Sequence, residues 1–187
     1  MDHFIDIEIR PDPEFPADQL MSALFSKLHR TLVKSDCVDI GVSFPNHDGR
    51  SPTLGNKLRL HAHAESLASF MSGDWLAGLL DHISVGTKSV VPLGASHRQI
   101  RRVQVKSSPE RLRRRLMRRH AINAEAAKLQ IPDAAAQRLP LPFVQLRSAS
   151  TEQSFRIFIE HGPDRSDAVA GVFNSYGLSQ VATVPWF

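Results

Sequence analysis

The sequence predicts an α+β fold in two parts, on three observations. Apolar residues alternate with a period of two in several short runs of the first half, they recur at three and four over Ala17 to Lys34, and the sign of the charge changes past the middle of the chain. With 187 residues, 42% of them hydrophobic and 22% charged, the chain is long enough for one large globular domain or two small ones. Disorder is therefore excluded as a general description.

The elements follow in order. Ile5, Ile7 and Ile9 alternate with Asp6, Glu8 and Arg10, which predicts a strand with one buried face, and Pro11, Pro13 and Pro16 end it. Leu20, Met21, Leu24, Phe25, Leu28 and Leu32 then mark an amphipathic helix over Ala17 to Lys34. Strands are predicted at Val38, Ile40, Val42, Phe44 and at Leu58, Leu60, Ala62, Ala64, separated by the polar, glycine-containing loop Pro45 to Lys57. A second helix, broken at Gly73, is expected over Ala64 to Ile83, with a last strand from Lys88 to Leu93. The order βαββαβ is the ferredoxin-like, RRM-like plan, which hosts many activities and decides none of them.

Division after Gly94 separates two domains, 1–94 and 95–187, of opposite charge: 8 Lys+Arg against 12 Asp+Glu, net −4, then 15 against 7, net +8. Such segregation suggests a polyanion partner for the second half. That half, read as an α/β domain, opens with a strand from Gln99 to Lys106 on which Arg102, Gln104 and Lys106 point away from Val103 and Val105. A helix follows from Pro109 to His120, with Ser108 as cap, Pro109 in the first turn and Glu110 complementing the dipole. After a softer alanine-rich helical stretch, Pro142 to Arg147 and Phe155 to Glu160 read as strands joined by the polar turn Ser148 to Ser154. A short strand near Val172 and the tail Val184-Pro185-Trp186-Phe187 complete the chain.

Helix 109–120 carries the most information. Arg111, Arg114, Arg115 and Arg118 share one face, Arg119 lies beside it, and Leu112 and Leu116 lie opposite. A solvated basic face usually interleaves glutamates, and here only Glu110 is present, so the arginines repel one another unless an anion neutralises them. Arginine also suits bidentate contacts to phosphate or guanine. Nucleic acid is the expected partner. A helix fits the major groove of B-DNA but enters A-form RNA only at a short hairpin open at its end, so the residues alone leave DNA and RNA both open.

Other features bound the reading. No apolar run approaches the roughly 20 residues that span a bilayer, and the start MDHFIDIEIR mixes acids into its apolar positions as signal peptides do not, so a cytoplasmic protein with no membrane partner is expected. Cys37 is the only cysteine and reads as a buried spectator thiol. His61 and His63 share a strand face without a nearby third ligand, which points to a polar outer face and no metal site. On position alone His29 reads as a half-buried spectator, Ser148 and Ser150 as turn residues, and Tyr176 and Phe155 as packing. Arg102 and Gln104 have a stronger independent case, through arginine–guanine and glutamine–adenine pairing.

The segments DHFIDIEIRPDPEFP, LMSALFSKLHR, GVSFP, RRVQVKSSPERLRRRLMRRH, LPFVQLRSAST, SFRIFIEHGP, YGLS and VPWF together resemble the CRISPR repeat-cleaving endoribonucleases of type I-F systems, over essentially the whole chain. The resemblance implies an N-terminal ferredoxin-like domain and a C-terminal domain that presents the arginine helix to the major groove of a repeat hairpin. It implies cleavage of precursor CRISPR RNA beside the stem, retention of the product, membership of a type I-F surveillance complex, no cofactor and no direct DNA contact. It assigns His29 as the catalytic histidine, Ser148 as the ribose-positioning serine and Tyr176 as an aromatic near the histidine. By the same resemblance Arg102 and Gln104 read a guanine and an adenine at the foot of the stem, and Phe155 stacks under the last base pair. Arg114, Arg115, Arg118, Arg119 and His120 match the groove contacts, and Ser150 lies in the substrate-binding turn. Gln180 to Thr183 departs from the family pattern, which has glycines and a lysine there.

RNA carries its own nucleophile, so a cutter needs a group to take the 2′-OH proton and a means of holding that oxygen in line with phosphorus. An imidazole, which titrates near neutrality, suits the first task and a hydroxyl that fixes the ribose suits the second, giving a 2′,3′-cyclic phosphate and a 5′-OH without a metal. No residue is identified as general acid. Two rival functions remain open on the sequence: a non-catalytic hairpin-binding subunit of a ribonucleoprotein, which needs the arginine helix but not His29, and a DNA-binding regulator, which needs only the helix.

Overall fold

The computed structural model describes residues 1–104, 109–132, 139–148 and 152–187. It is an α+β protein of antiparallel sheets and, among the described residues, four α-helices. Two compact units are present: Met1–Val103 with Leu141–Phe187, and Gln104–Pro140.

In the first unit β1 (His3–Ile9), α1 (Ala17–Ser35), β2 (Gly41–Ser43), β3 (Lys57–Ala62), α2 (Ala64–Met71), β4 (Ile83–Val85) and β5 (Ser89–Val90) follow one another. The sheet order is β2-β3-β1-β4, with β5 also pairing β1. In register, Ile5 opposes Leu60 and Ile7 opposes Leu58, so these side chains share the sheet face against which α1 and α2 pack. α1 buries the six predicted apolar residues, and Asp36 ends it in the left-handed conformation at φ 52°.

The opposite face of β3 is covered too. Arg59 holds Asp6 through two bonds of 2.6 and 2.9 Å, donates to the Phe187 carbonyl at 3.0 Å, and lies over the rings of Phe4 and Phe187. His61 is fully buried beside it, with Nε2 2.8 Å from the Ser43 hydroxyl. The expected polar outer face of His61 and His63 is thereby corrected. A strand covered on both sides removes His61 from water, whereas His63 precedes α2 with a side chain 67% exposed.

A three-stranded sheet of order β7-β9-β8 completes this unit, from β7 (Ile100–Val103), β8 (Phe143–Arg147) and β9 (Ser154–His161), and α1 also packs on β8. β6 (Ser96–Arg98) pairs with the tail strand β10 (Val184–Trp186). Three further expectations are corrected. The helix expected to reach Ile83 stops at Met71, because the chain turns at Gly73-Asp74 and again at Gly78, whose φ is +75°. The closing strand is split into Ile83–Val85 and Ser89–Val90 around Gly86, so only Ser89 and Val90 of the expected Lys88 to Leu93 are strand, and Leu93 is fully exposed. The segment around Val172 is not a strand, since its amides bond to loops and to the stretch before β2, as Phe173 does to Val38. The strand beginning near Gln99 is assigned as far as Val103; Val105 and Lys106 lie outside the described residues.

Gly41 marks the tightest approach. A Cβ there would sit 2.6 Å from Val184 Cγ1 and 2.8 Å from Phe173 Cε1. Gly41→Ala is expected to destabilise by about 1–3 kcal/mol through overpacking. Urea unfolding will read this as a lower midpoint at unchanged slope, and a change within about 0.5 kcal/mol would place the tail elsewhere.

The second unit contains α3 (Pro109–His120) and α4 (Ala124–Gln130), packed on each other. α3 matches the predicted boundaries; its predicted cap, Ser108, lies outside the described residues. Ala121, at φ 49°, ends α3, and the Asn123 side chain caps α4 by accepting from the Ala126 amide at 2.9 Å. No described helix is long and apolar enough to cross a membrane.

Candidate active site and nucleic-acid interface

α1 places His29 four residues after Phe25, on one edge of the helix. The Tyr176 ring lies along this pair, stacked on His29 at 4.0 Å and 14° and parallel to Phe25 at 6.1 Å. His29 Nδ1 is 2.7 Å from the carbonyl of Ser175. A carbonyl only accepts, so Nδ1 carries a proton and, in the neutral ring, Nε2 keeps the lone pair. The imidazole is thus held by one ring face and one nitrogen.

Tyr176 reaches the helix because residues 174–178 form a closed turn. Asn174 N donates to Leu178 O at 2.9 Å, Gly177 N donates to Asn174 O at 2.8 Å, and Gly177, at φ +69°, donates nothing further but accepts from the Val42 amide at 2.9 Å. A Cβ on Gly177 would lie 2.7 Å from Val42 Cγ1, so only glycine fits.

From β7, the Arg102 guanidinium stands 5.4 Å from the centre of the Tyr176 ring, and its own carbonyl accepts from the Gln180 side-chain amide at 2.9 Å. Its neighbour Arg101 is committed to Glu160 at 2.8 Å. The structure therefore brings three of the predicted residues, His29, Tyr176 and Arg102, around one aromatic ring. Gln180 and Thr183, in the segment that departs from the family pattern, serve the fold: Gln180 holds β7, and Thr183 accepts from the Val169 amide at 2.8 Å.

Ser148 and Phe155 belong to the β8–β9 hairpin. Ser148 leaves β8 with its amide on Gln153 O and its carbonyl accepting from Glu152 N, both 2.9 Å. Phe155 opposes Leu146 in register and packs partly against the core. Ser150 lies outside the described residues. Sequence reasoning missed Asn174 and Ser175. Asn174 lies three residues before a glycine, which is a turn signal, whereas Ser175 acts through its backbone and leaves no side-chain signature.

In the second unit Leu112, Leu116 and Met117 are half-buried, while Arg114, Arg115, Arg118, Arg119 and His120 are exposed. Arg113 turns to the packed side and donates to Ile131 O at 2.8 Å. Arg114 pairs with Glu110 at 2.7 Å; for Arg115, Arg118 and Arg119 no ion pair is formed among the described residues. Gln104, first residue of this unit, is exposed.

Residues 4–187 match the model of the family described as CRISPR-associated protein (Cas_Csy4). Over the full length of both chains the sequence is 54% identical to the CRISPR-associated endonuclease Cas6/Csy4 of Pseudomonas aeruginosa (strain UCBPP-PA14). It is 43% identical, again over both full lengths, to the CRISPR-associated endonuclease Cas6/Csy4 of Escherichia coli (strain UTI89 / UPEC). The chain belongs to the Cas_Csy4 family of CRISPR-associated proteins, the type I-F endoribonuclease family that its sequence resembles.

Proposed function

We propose that this chain is a metal-independent endoribonuclease that binds the repeat hairpin of precursor CRISPR RNA, cuts beside the stem and stays on the product. The observation that carries the reading is the His29 ring, pinned at Nδ1 by Ser175 and stacked by Tyr176 so that Nε2 is available. In this reading Nε2 takes the proton of a ribose 2′-OH while Ser148 constrains that sugar. The 2′-oxygen attacks the adjacent phosphorus, the bond from phosphorus to the 5′-oxygen breaks, and the leaving oxygen gains a proton. The products are a 2′,3′-cyclic phosphate and a 5′-OH.

Specificity comes from two further groups. Arg102 and Gln104 read a guanine and an adenine at the foot of the stem, with Phe155 stacking below it. Arg114, Arg115, Arg118, Arg119 and His120 enter the groove of the hairpin, and Ser150 contacts the substrate from its turn. The strand order β2-β3-β1-β4 supports a ferredoxin-like arrangement for the histidine-bearing part, residues 1–94, with residues 95–187 as the RNA-binding domain. A cytoplasmic role within a type I-F surveillance complex fits this assignment.

Incubation with a repeat hairpin in excess EDTA tests the reading. Cleavage is expected with the all-ribose hairpin and none with a single 2′-deoxy substitution at the scissile nucleotide. Cutting of the deoxy substrate would remove the proposed nucleophile, and binding without any cutting would favour a non-catalytic subunit. Arg115→Ala is expected to weaken hairpin binding by about 1–3 kcal/mol and to reduce the slope of log affinity against log salt by roughly one. An unchanged slope would take Arg115 off the RNA.

A further inference from the structure

The turn that carries Ser175 and Tyr176 is itself held by a side chain to which no role attaches so far. Asn174 Oδ1 accepts from the Tyr176 amide at 2.9 Å and from the Leu178 amide at 3.3 Å. Both sides of the turn are fixed to the body of the unit, through Phe173 N on Val38 O, Val42 N on Gly177 O, and Ser179 N on Ile100 O. Phe173, Leu178 and Ser179 are buried, so these anchors are rigid, whereas Asn174, Ser175 and Tyr176 are not. Between the anchors, two backbone bonds close the turn, Asn174 N to Leu178 O and Gly177 N to Asn174 O, and the Asn174 carboxamide oxygen holds the amide of the Ser175–Tyr176 peptide itself. Those two residues supply both restraints on the imidazole: the Ser175 carbonyl at Nδ1 and the Tyr176 ring on its face.

We propose that Asn174 is a positioning residue that fixes the tautomer of His29, by holding the Ser175 carbonyl where only an Nδ1–H can face it. This rests on the reading of His29 as the base. Without the Asn174 acceptor the Tyr176 amide turns to water, the Ser175 carbonyl leaves Nδ1, and the neutral ring is free to carry its proton on Nε2. A ring protonated there has no lone pair for the 2′-OH.

Nitrogen-15 spectra of the histidine side chains in the intact protein, with single-turnover cleavage and hairpin affinity measured alongside, test the proposal. The native protein should show His29 as one Nδ1–H tautomer. Asn174→Ala should give mixed tautomers and cleavage slower by roughly ten- to hundredfold, with affinity kept within about twofold. Asn174→Asp keeps an oxygen that accepts both amides and should restore the single tautomer and the rate, which keeps the test open even if the alanine variant folds poorly. A single Nδ1–H tautomer in Asn174→Ala, or loss of it in Asn174→Asp, would overturn the role of Asn174. Mixed tautomers at an unchanged cleavage rate would instead overturn His29 as the base.

Discussion

His29→Ala is expected to slow single-turnover cleavage of the repeat hairpin by about 10²–10⁴-fold, the range a positioned general base contributes, while hairpin affinity stays within a few-fold. The separation of effects follows from where the groups sit. The imidazole is a single half-buried ring at the edge of α1, held by Ser175 and Tyr176, whereas the exposed cations that suit a phosphate backbone lie on α3. Removing the ring takes away a proton acceptor without removing charge from the cationic helix. Rates measured with enzyme in excess over RNA report the chemical step and are insensitive to slow release of a retained product. A variant cutting at the native rate would end the assignment of His29, and a variant that lost affinity in parallel with rate would make His29 a binding residue. Because the same ring stacks on Tyr176, the alanine variant also leaves one face of that aromatic bare, so the unfolding midpoint should be recorded to show that the fold persists.

Much of this site was legible in the sequence, for reasons that can be named. His29 and the six apolar positions of α1 share a periodic helix, and α3 announces both its ends and its cationic side, so local spacing placed them. The first strand was equally legible, because Ile5, Ile7 and Ile9 alternate with polar residues, whereas the next two are shorter than their apolar alternation suggests: β2 is only Gly41–Ser43, with Val38 half exposed, and Ala64 begins α2. The reading failed where long-range packing overrides local pattern. Leu76, Leu79 and Ile83 keep helical spacing after α2, yet the glycines at 73 and 78 turn the chain, so Leu76 and Leu79 are buried from turns and Ile83 from the start of β4. β6 is Ser-His-Arg, polar and three residues long, and exists because distant segments return to it, the tail strand on one side and Arg165, which bridges His97, besides. The clasp around His29 was hidden for a related reason. A backbone carbonyl 146 positions away in the chain carries no residue type to recognise, and only the family resemblance singled out Tyr176.

His61 shows what the alternating pattern conceals, and it governs the second large effect expected: loss of stability between pH 7 and pH 5. Burial, with the nearby Arg59 charge adding to it, pushes the His61 imidazole down to about 3. Burial likewise pushes His161, stacked on His47 at 4.8 Å, down to about 4. In the unfolded chain both rings titrate near 6.5. The folded value lies below the unfolded one, so the stabilisation is complete above pH 6.5 and is lost as pH falls toward 4 and then 3, because the unfolded chain binds the proton first. Taking each folded ring as neutral throughout, each site costs about 2 kcal/mol between pH 7 and 5, and the two together about 4 kcal/mol. Carboxylates contribute little in this window, since their unfolded values lie near 4. Urea unfolding at the two pH values measures the difference, and His61→Gln, which keeps a polar partner for Ser43 but cannot be protonated, should remove roughly half of it. A native protein equally stable at both pH values, or a His61→Gln variant with the full acid sensitivity, would mean that His61 is reached by water and that the tail strand and Phe187 do not seal the outer face of β3.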